Sequence, residues 1–183
     1  MSATSPARDL DQLARLIAAR NDWERETSAI IGRPALIGNL GEYIAAQVFN
    51  IRLHKSGSHQ ASDGLFVDGP LAGQTVNVKW YARQEVSLDL APGCPDVDLV
   101  LAGPRATAAL RGDPGRPWLF DSAHLFLAGR LIEQLRDVKL GVATSIRRAL
   151  WDAAELYPVA RCPDYTLSEG QREMLRLFDS GDS

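Results

Sequence analysis

Four polar side chains in the first half of the chain have the types and the order that phosphodiester hydrolysis requires. Asn77 and Lys79 stand two residues apart in the alternating stretch Thr75–Tyr81, Asp63 precedes that stretch, and Glu42 lies further upstream. Residues two apart in a strand share one face, so Asn77 and Lys79 should point the same way. Hydrolysis of a phosphodiester needs an in-line water, a divalent cation and help for the leaving oxygen. The pattern therefore indicates a cation site beside this strand.

The expected cation is Mg²⁺ or Mn²⁺, and each polar group has a role that suits it. Mg²⁺ takes oxygen ligands, commonly one or two carboxylates together with water and phosphate. Asp63 is the natural first ligand, and the side chain of Asn77 or the backbone oxygen of Val78 is the natural second. Lys79 is suited to orienting or deprotonating the attacking water and to steadying the phosphate. Glu42 is expected to reach the same cation or one of its waters.

Three short motifs follow one another along the chain: Gly41-Glu42, Ser62-Asp63-Gly64 and Val76-Asn77-Val78-Lys79. In this order they resemble the PD-(D/E)XK nuclease superfamily, which includes restriction endonucleases and repair nucleases. The resemblance implies an α-β-β-β-α-β core over residues 35 to about 140. It also implies metal-site roles for Glu42, Asp63 and Lys79.

Asn77 departs from the superfamily pattern, which has a carboxylate at this position. Branches that resemble the Mrr-type restriction nucleases carry glutamine there, so an amide is compatible with an enzyme. An amide oxygen can ligate a hard cation but contributes no charge. Weaker metal binding is therefore expected than with a carboxylate, and Glu42 could supply the missing charge.

Hydrophobic periodicity predicts the elements that position these residues. Two helices are expected first, from Pro6 to about Ala29 and from Ala35 to Phe49, and the second has a thin side that carries Gly41 and Glu42. The strands expected next are Ile51–His54, Gly64–Val67, Gln74–Tyr81 and Asp98–Ala102, with a further short one at Trp118–Phe120. Three later helices are expected at Ala123–Asp137 with Ser122 as its cap, from Thr144 or Ser145 to about Leu156, and from a capping box at Thr166–Glu169 to about Phe178.

This order predicts an α/β (α+β) domain with a small mixed sheet, a restriction-endonuclease-like core, and extra N-terminal and C-terminal helices. The 183 residues suffice for one compact domain. Residues 1–5 are expected to be a disordered tail and residues 6–183 a single nuclease-like domain. Within it, the core spans about 35–140 and a helical C-terminal extension spans 141–179.

The charge of the chain limits how it can bind nucleic acid. The formal net charge is −3, whereas proteins that bind nucleic acid through bulk charge are usually basic. DNA, the expected partner, must therefore be held by a local patch, for which the candidates are Lys55, His59, Tyr81 and Arg83. Asp96 and Asp98 stand at the start of a strand and are interpreted as capping or exposed residues.

The remaining observations concern location and alternative functions. The chain has no apolar run near the about 18 residues that a membrane span needs. It has no secretory signal, and its two cysteines lack metal-ligand spacing, so a cytoplasmic protein is expected. A homodimer is left open, because cutting two strands requires two sites. Two other functions also remain: a catalytically inactive nucleic-acid-binding or protein-interaction domain on the same fold, and a small structural or regulatory protein.

Overall fold

The computed structural model describes residues 6–55, 62–83, 86–90, 93, 95–104, 118–135 and 138–179. The chain divides into two compact units, Met1–Leu40 and Gly41–Ser183. The first unit contains helix α1 (Pro6–Ile31), which ends two residues later than predicted and leaves its apolar stripe, Leu10, Leu13, Leu16 and Ile17, exposed. The predicted tail, residues 1–5, lies outside the described residues. None of the described helices is long and apolar enough to cross a lipid bilayer.

The second unit is built around a mixed sheet, and helix α2 (Ile37–Phe49) leads into it. Six strands form this sheet in the order β1-β2-β3-β5-β6-β8, and β4 and β7 form a separate pair. The strands are β1 (Ile51–Leu53), β2 (Gly64–Phe66), β3 (Thr75–Tyr81), β4 (Ser87–Leu88), β5 (Val97–Ala102), β6 (Ser122–Leu127), β7 (Thr144–Ser145) and β8 (Glu155–Tyr157). The later helices are α3 (Ala128–Gln134), α4 (Arg148–Ala153) and α5 (Glu169–Arg176).

Strand β3 lies between two different kinds of neighbour. It pairs antiparallel with β2 and parallel with β5, whereas the other strand pairs of the sheet are antiparallel. All six residues of β5 are buried, as expected for a strand covered on both faces. The mixed α/β class and the strands β1, β2, β3 and β5 are confirmed, with one end of each strand shifted by one residue.

Two apolar clusters cover the two faces of the sheet. One contains Val76 and Val78 of β3 together with residues of α2 and α5, such as Phe49 and Leu175. The other contains Val100 of β5 together with residues of α3 and α4 and with Leu88 of β4. The first five residues of β3 alternate as predicted, with Val76 and Val78 buried and Thr75, Asn77 and Lys79 half-buried.

Several predicted elements in the second half of the chain are wrong. Ser122–Leu127 is strand β6 rather than the start of a helix, because its backbone pairs with β5 and β8, and α3 begins only at Ala128. The segment expected to be one helix up to Leu156 forms β7, α4 and β8. Trp118–Phe120 is not a strand. The C-terminal helix is confirmed, but its capping box joins Ser168 to Gln171 rather than Thr166 to Glu169.

The order α2-β1-β2-β3 agrees with the first part of the expected α-β-β-β-α-β core. Between β3 and β5, the residues that the structure describes include the short strand β4 and no helix. The segment 141–179, expected as a helical extension, contributes strand β8 to the sheet and Leu167 and Leu175 to the core.

Candidate active site

The side chain of Asp63 takes the place of a backbone acceptor where β2 separates from β3. The ladder between these strands ends at the pair Gly64 and Val76, and the backbone N–H of Asp63 still donates to the oxygen of Val76 at 2.8 Å. One residue pair further along, the carboxylate oxygen Oδ2 of Asp63 accepts the N–H of Val78 at 2.6 Å. The carboxylate therefore lies against β3 at Val78, the residue between Asn77 and Lys79.

The carbonyl group of Val78 points to the same edge of β3. In a strand, the N–H and the C=O of one residue point to the same side, because paired residues exchange both bonds. Since the N–H of Val78 donates to Asp63, its carbonyl oxygen is also directed towards the gap in which Asp63 lies. A carboxylate and a backbone oxygen are thus both directed towards this gap.

Gly64 permits β1 to pass close behind Asp63. A Cβ atom at Gly64 would lie 2.6 Å from the backbone oxygen of Arg52 and 2.8 Å from the Cγ2 atom of Ile51. Contacts this short would force β1 and β2 apart. The glycine after Asp63 is therefore needed for strand packing, and the aspartate position depends on it.

Asn77 is paired with Asp98, a residue that the sequence interpretation placed wrongly. The two residues are directly opposite in the parallel register of β3 and β5, and the Nδ2 group of Asn77 donates to Oδ1 of Asp98 at 3.2 Å. Asp98 is neither a cap nor exposed, since only 1% of its surface is accessible. The other carboxylate oxygen, Oδ2, is buried and has no hydrogen-bond partner among the described residues.

Burial dominates the electrostatics of Asp98. It raises the pKa of the carboxyl group from 3.8 to about 6, against the positive charge of Lys79 and the hydrogen bond from Asn77, which both lower it. The negative charge of Asp63 raises the same pKa further. Asp63, Lys79 and Asp98 thus lie close enough to influence one another. One signal in the sequence could have identified Asp98: it is the single charged residue inside the apolar run Val97–Ala102.

Glu42 and Lys79 belong to elements that pass close to each other. Gly41 lies against Trp80, since a Cβ atom at Gly41 would stand 3.1 Å from the Cβ of that tryptophan. Helix α2 therefore packs on the face of β3 that carries Trp80, and Lys79, the residue before it, points to the opposite face. The thin side of α2 allows close approach to the sheet at Gly41. Glu42 is half-buried, and its reach to the cluster at Asp63 stays a prediction.

The residues expected to bind the substrate differ in how exposed they are. Tyr81 is half-buried with its hydroxyl oxygen inside the protein, and its ring packs against the second apolar cluster. Arg83 is half-buried just after β3, and Lys55 is exposed just after β1. His59 lies outside the described residues. The role of these residues in substrate binding stays a prediction.

The donor set around β3 consists of oxygen atoms. Asp63 and Asp98 provide carboxylates, Asn77 an amide, and Val78 a backbone carbonyl. In the part of the chain that the structure describes, no group of three or more His, Cys, Asp and Glu side chains is arranged to hold a metal ion. Any cation here would therefore be held by few carboxylates and would keep several waters, which is the usual situation of Mg²⁺.

Comparisons with known proteins leave the site to be judged from its own geometry. No protein-family profile matches the chain, and no match is found among curated proteins.

Proposed function

We propose that this protein is a divalent-metal-dependent nuclease that hydrolyses DNA phosphodiester bonds, with a restriction-endonuclease-like core formed by α2, β1, β2 and β3. The observation that carries the proposal is the 2.6 Å hydrogen bond from the Val78 N–H to Asp63. It holds a carboxylate beside the Asn77-Val78-Lys79 segment, which supports a shared site for these residues.

Each residue near β3 has a separate role in the proposed reaction. Asp63, the carbonyl of Val78 and the amide oxygen of Asn77 would hold the cation, with Glu42 binding it or one of its waters. When bound, Mg²⁺ or Mn²⁺ lowers the pKa of water and offsets charge on the phosphate. Lys79 orients the attacking water and steadies the phosphate with its positive charge. Arg83 and Lys55 contact phosphates of the DNA backbone on either side of the bond that is cleaved.

Two features of the site fit a hard divalent cation. Its donors are oxygen atoms, and Asp98 Oδ2 is a buried carboxylate oxygen without a hydrogen-bond partner among the described residues. Mg²⁺ commonly uses one or two protein carboxylates and completes its shell with water and phosphate. These features support metal-dependent chemistry more than a purely structural cluster.

Cleavage assays test the proposal. Purified protein is incubated with supercoiled, linear and single-stranded DNA in the presence of Mg²⁺, Mn²⁺ or EDTA. Wild type should cleave at least one substrate with metal and none with EDTA. Lys79→Ala and Asp63→Ala should each reduce the rate by about 100-fold or more, the scale of a lost acid–base group.

Two comparisons make this assay decisive. Lys139→Ala removes an exposed positive charge between α3 and β7 and should cleave like wild type. Circular dichroism of each variant separates loss of activity from loss of fold. Equal cleavage by all variants would indicate a contaminating nuclease and would overturn the site.

A second function is favoured by the amide at position 77. Asn77 is neutral and already donates a hydrogen bond to Asp98, so the site has one carboxylate fewer on β3 than the superfamily pattern. A domain of this kind could bind DNA or a protein partner without cutting. Retained DNA binding by wild type, with no cleavage under any metal condition, would support this function.

A further inference from the structure

We propose that Asp98 on β5 supplies the carboxylate that Asn77 on β3 lacks, and that it ligates the divalent cation together with Asp63. The inference rests on the proposed nuclease function and identifies a ligand from a neighbouring strand. It assigns a function to Asp98, the acidic residue of β5, which belongs to none of the three sequence motifs.

The register of the sheet brings the carboxylate to the required position. Asn77 and Asp98 are Cα partners in the parallel pair β3 and β5. Side chains of paired residues lie on the same face, and neighbouring strands are about 4.8 Å apart. A carboxylate at 98 therefore stands one strand away from the position at which a carboxylate at 77 would stand.

The hydrogen bond between these side chains leaves two oxygen atoms for a cation. An ionised carboxylate only accepts, so it is the amino group of Asn77 that faces Oδ1 of Asp98. The amide oxygen of Asn77 is then turned away from Oδ1. On Asp98, the second oxygen Oδ2 has no hydrogen-bond partner among the described residues. Asn77 thus offers a neutral oxygen and Asp98 a charged one.

The burial of Asp98 leaves one of its carboxylate oxygens without a hydrogen-bond partner among the described residues. A carboxylate that is only 1% exposed is costly unless it is paired with a positive group or fully hydrogen-bonded. One hydrogen bond from a neutral amide satisfies a single oxygen. Lys79 contributes one nearby positive charge, and a divalent cation at Oδ2 would give this oxygen a direct partner.

Binding of Mn²⁺, measured by calorimetry and by electron paramagnetic resonance, tests the assignment without any activity assay. The proteins compared are wild type, Asp63→Asn, Asp98→Asn and the exchange variant Asn77→Asp/Asp98→Asn. Asp98→Asn keeps the shape of the side chain and should weaken Mn²⁺ binding by about tenfold or more. This loss is at least as large as the one caused by removing a residue that hydrogen-bonds to a metal ligand. The exchange variant returns a carboxylate to β3 and should recover most of the affinity. Glu133→Gln, at an exposed carboxylate on α3, is the matched control.

The outcomes separate this inference from the proposed function. Wild-type affinity in Asp98→Asn, together with lost binding in Asp63→Asn, overturns the role of Asp98 and leaves the nuclease proposal standing. No Mn²⁺ binding by wild type overturns both. If circular dichroism shows that Asp98→Asn does not fold, the exchange variant decides, because it retains an Asn–Asp pair across the same strands. Mn²⁺ binding by that variant supports the inference, and its failure to bind overturns it.

Discussion

Thr75 and Asp96 are joined by three hydrogen bonds at the point where β3 and β5 begin side by side. The Asp96 carboxylate oxygen Oδ2 accepts the N–H of Thr75 at 2.8 Å and its hydroxyl at 2.7 Å, and the N–H of Asp96 donates to that hydroxyl oxygen at 2.9 Å. The bonds from Thr75 hold the pKa of Asp96 below its ordinary value. This contact fixes the parallel register two residues before Asn77 and Asp98, so the pairing of those residues depends on it.

Removing the contact between Thr75 and Asp96 should loosen the start of both strands. Asp96→Ala is expected to lower the free energy of unfolding by about 1–2 kcal/mol, since it removes hydrogen bonds to a charged acceptor at an exposed position. Thr75→Val should have a smaller effect, and the double variant should lose less than the sum of the two. Urea unfolding of the four proteins measures this coupling. Strict additivity would mean that the residues act independently.

The sequence contained enough information to predict β3 and the strands that lie on one side of it, β2 and β1. Val76 and Val78 alternate with polar residues, which predicts the strand and its two faces. Asp63-Gly64 marks the start of the hairpin partner. These signals are local, because strand alternation and glycine at a close approach depend on residues near each other in the chain.

The pairing on the other side of β3 could not be predicted in the same way. The apolar run Val97–Ala102 indicates a strand but not its partners, and the run Ser122–Leu127 does not show whether it forms a strand or a helix. Their hydrogen bonds go to strands distant in sequence. The role of Asp98 follows only from its parallel pairing with Asn77, which is a property of the tertiary structure.

Gly64→Ala should disturb the site through the backbone. The added methyl group would meet the carbonyl oxygen of Arg52, which is a backbone atom and can move only with β1. Forcing such a contact costs typically about 1–3 kcal/mol. Thermal unfolding should show the loss, and cleavage should fall because Asp63 shifts with its strand. Gly129→Ala, where a Cβ atom would meet nothing within 4 Å, is the matched control and should lower neither the unfolding temperature nor the cleavage rate.

His124 should make the stability of the fold depend on pH. It is buried in β6, with Nδ1 donating to the backbone oxygen of Trp151 and Nε2 accepting from the hydroxyl of Ser122, both at 3.0 Å. Burial lowers its pKa from 6.5 to about 4, so the unfolded chain binds the proton more strongly than the folded protein. The stabilisation is complete above pH 6.5 and is lost as the pH falls towards 4.

Chemical unfolding between pH 7 and pH 4 measures this contribution. The free energy of unfolding of wild type should fall over that interval. His124→Gln should be less stable than wild type by about 1–3 kcal/mol at pH 7, because buried partners lose hydrogen bonds, and its pH dependence should be flatter. Equal slopes for the two proteins would show that His124 is not the group that titrates.

Lys55 and Arg83 should contribute to DNA affinity through charge. If each contacts one phosphate, the double variant Lys55→Ala/Arg83→Ala should weaken binding and reduce the slope of log affinity against log salt by about 1.8 for duplex DNA. Fluorescence anisotropy at several salt concentrations gives this slope. Lys139→Ala removes an exposed charge between α3 and β7 and should leave the slope unchanged. A slope that does not change in the double variant would show that these residues do not contact the DNA.

Asn77→Asp should make the fold depend on metal. The substitution removes the amide donor to Asp98 and places two carboxylates opposite each other on paired strands, which is destabilising. Without metal, the midpoint of thermal unfolding should therefore fall below that of wild type. A bound cation neutralises both charges and binds only the folded protein, so it adds stability by mass action. Mn²⁺ should then raise the unfolding midpoint of Asn77→Asp more than that of wild type, and half-maximal cleavage should need less metal. An equal Mn²⁺ shift in the two proteins, with unchanged metal dependence of cleavage, would mean that the side chain at position 77 is not a ligand of the cation.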